Sequence, residues 1–119
     1  METETAVVAL EALAQASRLG IFRLLVEAGP AGLAAGQIAK RMGLPAATLS
    51  FHLSQLKHAG LIACERQGTS LIYSADFGAM NAIVGFLTEN CCGGRQPCDP
   101  ACAPACAVPQ PVKRRRKAK

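Results

Sequence analysis

No apolar run in this 119-residue sequence approaches the roughly 18 residues that a membrane-spanning helix needs, and the first residues are acidic where a secretion signal would be basic. A cytoplasmic protein is expected. Excess charge is missing from the body of the chain: the formal net charge is +5, yet six of the 13 Lys and Arg residues are Lys113, Arg114, Arg115, Arg116, Lys117 and Lys119. Residues 1–112 are therefore close to neutral, so bulk charge argues for no partner and local geometry must do so. Cysteine is scarce before residue 91, since five of the six fall within residues 91–106. That crowding excludes the scattered disulfide framework of a small secreted domain and points to thiolate chemistry with a soft ion or an oxidant. No C-x-x-C pair opens a helix and no general base accompanies a thiol, which excludes a thiol enzyme; no internal repeat occurs before residue 91.

What is present is a set of periodic segments separated by glycine and proline. Half of the residues are apolar, enough for one core. Residues 5–16 are rich in Ala, Leu and Val, with Thr5 as cap, and predict a first helix whose apolar excess needs a partner surface. A second helix starts from a Ser17 cap and stops at Gly29-Pro30. A third, over residues 34–42, turns Leu33, Ile38 and Met42 inward, and Gly43-Leu44-Pro45 makes a tight turn before the fourth, over 46–59. In that fourth helix Leu49, Leu53 and Leu56 form one stripe, while Thr48, His52 and Gln55 line up on the opposite face. Two β-prone runs, 61–66 and 69–73, joined by a Gln67-Gly68 turn, make a hairpin. A fifth helix over 76–88 carries the apolar stripe Met80, Ile83, Val84 and Leu87.

A hairpin directly after helix, turn and helix is a wing, so the predicted fold is mainly α with a small β-hairpin, a winged helix-turn-helix dimerising through its first and last helices. The predicted domains are residues 1–90, for DNA binding and dimerisation, and 91–119, a Cys-rich inducer-binding segment with a basic tail. In such folds the second helix of the motif enters the major groove. Thr48, Ser50, Phe51, His52 and Gln55 offer hydroxyl, imidazole and amide groups and an apolar edge to the bases, and Lys57 and Arg66 neutralise phosphates. With so few cations one motif binds weakly, so a homodimer on two half-sites of double-stranded DNA is expected.

The segment Leu13 to Leu25 (LAQASRLGIFRLL) resembles the "L-A-x-P-T-R-L-x-I-L-x-L-L" opening of the ArsR/SmtB family, and Leu44 to Ile62 (LPAATLSFHLSQLKHAGLI) is similar to that family's "L-S-Q-x-x-V-S-x-H-L-x-x-L-x-x-A-G-L-V". The match covers residues 10–75, and Ala46 departs from it where the family often has Gln. The resemblance implies a homodimeric winged-helix repressor of a metal-resistance operon, released from operator DNA by its inducing ion. Two of the family's inducer sites are absent: its third-helix Cys-Val-Cys corresponds here to Ala34-Ala35-Gly36, and no histidine lies between Asp76 and Glu89 for its fifth-helix zinc site.

Cys91, Cys92 and Cys98 remain, directly after the fifth helix, and resemble the arsenic-responsive subgroup with ligands at the C-terminal end. Trivalent arsenic is soft, keeps a lone pair and takes three pyramidal sulfur bonds, and Gly93, Gly94 and Pro97 let Cys98 fold back to the vicinal pair. Arsenite is thus the expected inducer, with antimonite or organoarsenicals beside it, and no catalytic cofactor is expected. Zinc, cadmium or lead sensing stays open, because Cys98, Cys102 and one of the vicinal pair complete a sulfur set for a tetrahedral ion. A thiol-based metalloid carrier or a redox sensor is the reading from another class. Cys102 and Cys106 read as tail residues, Cys64 as a small apolar strand residue, and the basic tail as a solubilising segment.

Overall fold

The computed structural model describes residues 1–94; Cys98, Cys102, Cys106 and the basic tail lie outside them. The chain divides into a unit of residues Met1–Ile83 and a second unit that begins at Val84. Along it run α1 (Thr3–Leu13), α2 (Ala16–Ala28), β1 (Leu33–Ala34), α3 (Ala35–Met42), α4 (Ala46–His58), β2 (Ile62–Gln67), β3 (Ser70–Ala75), α5 (Phe77–Leu87) and a 3₁₀ turn at Cys91–Gly94. The order is the predicted one: five helices with a wing after the fourth. No described helix is by itself long and apolar enough to cross a membrane.

Helix starts differ from the expected caps. α1 begins at Thr3 behind Glu2, two residues before the predicted Thr5 cap. α2 begins at Ala16, and its cap is Gln15 in place of Ser17: the Gln15 side-chain oxygen accepts from the Arg18 backbone N–H at 2.9 Å. A longer amide thus satisfies one of the orphan donors that a Ser, Thr, Asp or Asn cap ordinarily takes.

The ends follow the glycines. Gly43 closes α3 in the left-handed region, at φ 67°, with its N–H and that of Leu44 both donating to the Ala39 carbonyl (2.9 and 3.1 Å). That reversal makes the turn of the motif, and a side chain at position 43 would be strained there. Pro45 then occupies the N-cap of α4, its carbonyl accepting from Leu49 N–H at 2.9 Å.

The first unit packs its helices around fully buried Ile21, Leu25, Ile38, Leu56 and Leu61, with Leu49 and Leu53 beside them. Burying a side chain of this size stabilises by about 1.5–3 kcal/mol, so the leucine stripe of α4 fixes which face of that helix is left for solvent. Ile38 is buried as predicted, while Leu33 and Met42 are only half-buried.

β3 is central in a three-stranded antiparallel sheet of order β1-β3-β2. Gln67 pairs with Ser70, so the turn is Gly68-Thr69, one residue later than predicted. The reason is conformational: Gly68, at φ 65°, takes the first turn position, where a positive φ is required. β1 was not predicted. It pairs Leu33 with Tyr73 and Ala34 with Ile72, and two residues are too short to show a period.

Candidate nucleic-acid interface and thiol site

α4 projects from the core with Thr48, Ser50, Phe51, Gln55 and Lys57 all exposed, and Arg66 is exposed on the wing. Phe51 is 57% accessible, an unusual position for an aromatic ring that has no partner surface to cover. These six predicted residues are therefore all open to solvent.

His52 does not. It is only 7% exposed, so its placement among the solvent-facing residues is corrected. At about 100° per residue, His52 sits about 60° from Leu49 and about 40° from Leu56, on the shoulder of the leucine stripe. Its Nδ1 lies 3.3 Å from Arg18 Nη1. A guanidinium has no acceptor, so Nδ1 accepts and the ring proton sits on Nε2. Arg18 also donates through Nε to the Ala12 carbonyl at 2.7 Å, capping the C-terminal end of α1 with a cation. One side chain thereby ties the end of α1 and the start of α2 to α4. His52 positions α4 from behind, and its ring lies beside Phe51 with centroids 5.7 Å apart and planes tilted by 58°.

Sequence reasoning missed a second basic feature. Gln37, Lys40 and Arg41 of α3 line a concavity of about 380 Å³. The Gln37 side-chain oxygen is held by the Ala34 N–H at 2.9 Å, which leaves its amide protons available. The signal was legible in principle: two cations in the last turn of the first motif helix, directly before the turn.

On the wing, Cys64 and Tyr73 are cross-strand partners, both half-buried. Burial first, and then the hydrogen bond and charge of Cys64, push the Tyr73 phenol above its usual 10.0. The folded chain holds that proton more tightly, so this contribution to stability is complete below pH 10 and is lost as pH rises further. Tyr73 is the single Tyr and there is no Trp. A tyrosinate absorbance titration should therefore place its midpoint above 10.0 in the folded protein, and Cys64→Ala should move it down; an unmoved midpoint would remove the thiol as a cause.

α1 is inverted relative to an ordinary amphipathic helix. It buries the small residues Ala6, Ala9 and Ala12 and leaves Val7, Val8 and Leu10 outside. A cleft of about 360 Å³ is lined by Leu13 at the end of α1, by Leu19, Phe22, Arg23, Val26 and Glu27 of α2, and by Met80.

In the second unit, Val84 and Leu87 are exposed at 52% and 61%. The end of α5 is closed by Thr88, whose hydroxyl and N–H both donate to the Val84 carbonyl (2.8 and 3.1 Å). Asn90 and Cys92 then adopt left-handed backbone, at φ 57° and 58°. For Cys92, which lacks the local hydrogen bonding of Asn, this costs about 1–2 kcal/mol. Cys91 N–H donates to the Thr88 carbonyl and Gly93 N–H to that of Asn90, both at 2.9 Å. The result brings Cys91 Sγ and Cys92 Sγ to 3.7 Å, Cys91 half-buried and Cys92 exposed. Of the three predicted thiol ligands two are thus together, and Cys98 lies outside the described residues. Among the described residues no cluster of three or more His, Cys, Asp or Glu side chains forms a metal site.

Residues 13–65 match the family described as helix-turn-helix domain. The chain is 34% identical over 89 residues to the HTH-type transcriptional regulator YgaV of Escherichia coli (strain K12), spanning 75% of this chain and 88% of that protein. Among solved structures it is similar to HlyU from Vibrio cholerae, with 29% identity, a TM-score of 0.61 and coverage of 77% of this chain and 99% of the other. It is similar also to the homodimeric winged helix-turn-helix DNA-binding domain of a possible ArsR-family transcriptional regulator from Mycobacterium bovis, with 27% identity, a TM-score of 0.58 and coverage of 78% and 86%.

Proposed function

Because the chain belongs to the ArsR/SmtB family of winged-helix transcriptional regulators, we propose that it is the homodimeric repressor of a metalloid-resistance operon and leaves its operator when trivalent arsenic binds Cys91, Cys92 and Cys98. The observation that carries the arsenic reading is the thiol pair placed 3.7 Å apart just beyond the last helix. Its donors fit the ion: two soft sulfurs, one of them exposed, with no hard oxygen or imidazole ligand clustered around them among the described residues. Cys98 is the third ligand in this reading, and residues 91–119 are the inducer-binding segment attached to a DNA-binding and dimerisation domain of residues 1–90.

Each protomer reads bases with Thr48, Ser50, Phe51 and Gln55, while Lys57 and Arg66 hold phosphates. The outward Val7, Val8 and Leu10 of α1, and Val84 and Leu87 of α5, are covered by the second protomer. Inducer binding at the end of α5 changes that contact, so the two recognition helices no longer span both half-sites.

Lys40 and Arg41 extend the phosphate grip from α3. Replacing both by Ala should weaken operator binding uniformly across sequences and lower the log K against log[salt] slope by about 3–4 per dimer, at about 0.9 per phosphate contact. An unchanged slope in a salt series of anisotropy titrations would remove α3 from the interface.

The experiment that tests the whole reading is a gel shift of the reduced protein on DNA upstream of its own gene. A specific, salt-sensitive shift should disappear on titration with arsenite and persist with equal zinc. A shift undiminished by saturating arsenite would overturn the arsenic assignment, and no sequence-specific shift at all would overturn the repressor assignment.

A further inference from the structure

β3 is the middle strand of the sheet, but only its inner half has a neighbour on each side. β1 pairs with Ile72 and Tyr73, while the outer end of the hairpin, where Arg66 faces Leu71 and Gln67 faces Ser70, is two strands wide. A two-stranded hairpin is marginal in water, and a third strand is what makes it hold. The direction in which the wing carries Arg66 therefore depends on how β1 grips its base.

The chain enters β1 through Gly32, which has φ 73° and donates its N–H to the Gly29 carbonyl at 3.1 Å. A Cβ at this position would overlap the Tyr73 carbonyl oxygen, and would lie 3.0 Å from the carbonyl carbon and 3.1 Å from Ile72 Cγ2. The first two atoms are backbone of the paired strand, so no change of rotamer relieves the overlap. On its other side β1 runs directly into α3: Ala34 is both its last residue and the N-cap of that helix, with its N–H held by Gln37 Oε1 at 2.9 Å. A retreat of β1 from β3 would thus separate the wing from the helix-turn-helix.

We propose that Gly32 is the positioning residue of the wing: the absent side chain seats β1 against Ile72 and Tyr73, and that seat fixes Arg66 relative to α4. The DNA arm of the test rests on the reading of Arg66 as a phosphate contact, and the protein-only arm does not.

Three alanine substitutions separate the causes. Gly32→Ala meets both a positive φ and the β3 backbone, Gly29→Ala meets a positive φ of 82° with nothing within 4 Å, and Gly36→Ala in α3 meets neither. Without DNA, tryptic cleavage after Arg66 is measured against cleavage after Arg23, which lies inside α2 and reports opening of the whole fold. Gly32→Ala should raise that ratio by about tenfold or more, because cleavage follows the population of the open form. Gly29→Ala and Gly36→Ala should leave it unchanged. Gly32→Asn, which tolerates a positive φ but keeps the overlapping Cβ, should behave as Gly32→Ala does and serves in its place if that variant does not fold. On operator DNA, Arg66→Ala should lower the log K against log[salt] slope by about 2 per dimer, at about 0.9 per phosphate contact. In the Gly32→Ala background the slope should already have fallen by that amount, and Arg66→Ala should lower it no further. An unchanged cleavage ratio, a ratio raised equally by Gly29→Ala, or an Arg66→Ala effect as large in the Gly32→Ala background as in the unmodified chain would overturn the proposal. A raised ratio beside an Arg66→Ala slope that does not change in the unmodified chain would overturn the phosphate reading of Arg66 and leave the wing anchor standing.

Discussion

Arsenite at concentrations that strip the unmodified protein from its operator should leave DNA bound when Cys91, Cys92 and Cys98 are all replaced by Ser. The half-release concentration is expected to rise by about 100-fold or more, since the three linked soft contacts are lost together. Serine keeps the shape of cysteine but offers a hard, protonated oxygen, so the substitution removes thiolate chemistry with little change of volume. Operator affinity without arsenite should be unchanged, because Cys91 and Cys92 follow α5 and neither lies on α4 or the wing. Linkage adds a second, independent readout: saturating operator DNA should weaken arsenite binding to the unmodified protein by the same factor by which arsenite weakens DNA binding, about 5–150-fold for couplings of 1–3 kcal/mol. Ternary complexes of protein, DNA and arsenite with undiminished affinities would end the derepression mechanism. A triple variant still released at the original concentration would move the sensor elsewhere in the chain.

The parts of the fold that sequence resolved are those set by punctuation and by long apolar periods. Gly29, Gly43 and Gly60 each end a helix with positive φ where the sequence puts the stop. Leu49, Leu53 and Leu56 enter the core as their spacing requires. What escaped depends on tertiary neighbours or on very few residues. β1 exists because β3 has an open edge for Leu33 and Ala34 to pair with, and no local pattern announces that. The cap of α2 moved to Gln15 because a flexible amide reached back to Arg18 N–H. The hairpin slipped by one residue because the demand of Gly68 for the first turn position outranks the strand pattern beside it.

The candidate site shows the same division. Thr48, Ser50, Phe51, Gln55 and Lys57 follow from the helical wheel alone. His52 lies at the boundary of the two faces, where angle alone does not decide, and the guanidinium of Arg18, 34 positions away in sequence, drew the imidazole inward. The alanine stripe of α1 was equally ambiguous. An Ala and Val helix buries either face until packing selects the one that permits close approach, and here the small residues went in and the valines stayed out.

Arg18 is the residue through which that inward His52 should matter most. Replacing Arg18 by Ala is expected to destabilise the fold by about 2–3 kcal/mol, because it removes two charge-assisted hydrogen bonds and leaves buried polar groups without partners. The Ala12 carbonyl, held at 2.7 Å, loses the cation that closes α1, and His52 Nδ1 loses its donor at 3.3 Å. Because His52 sits beside the exposed face of α4 that is proposed to read bases, operator affinity should fall more than tenfold even at temperatures where the variant is folded, a loss above about 1.4 kcal/mol. Arg18→Lys should rescue little, since a single ammonium does not reproduce the planar fork that reaches a carbonyl of α1 and a ring nitrogen of α4 at once. A double-mutant cycle with His52→Ala separates positioning from plain destabilisation. If the pair acts together, the two losses of DNA affinity should overlap, leaving an interaction energy of about 0.5–3 kcal/mol. Strictly additive losses, or full operator affinity in folded Arg18→Ala protein, would show that the recognition helix is held by its leucines alone.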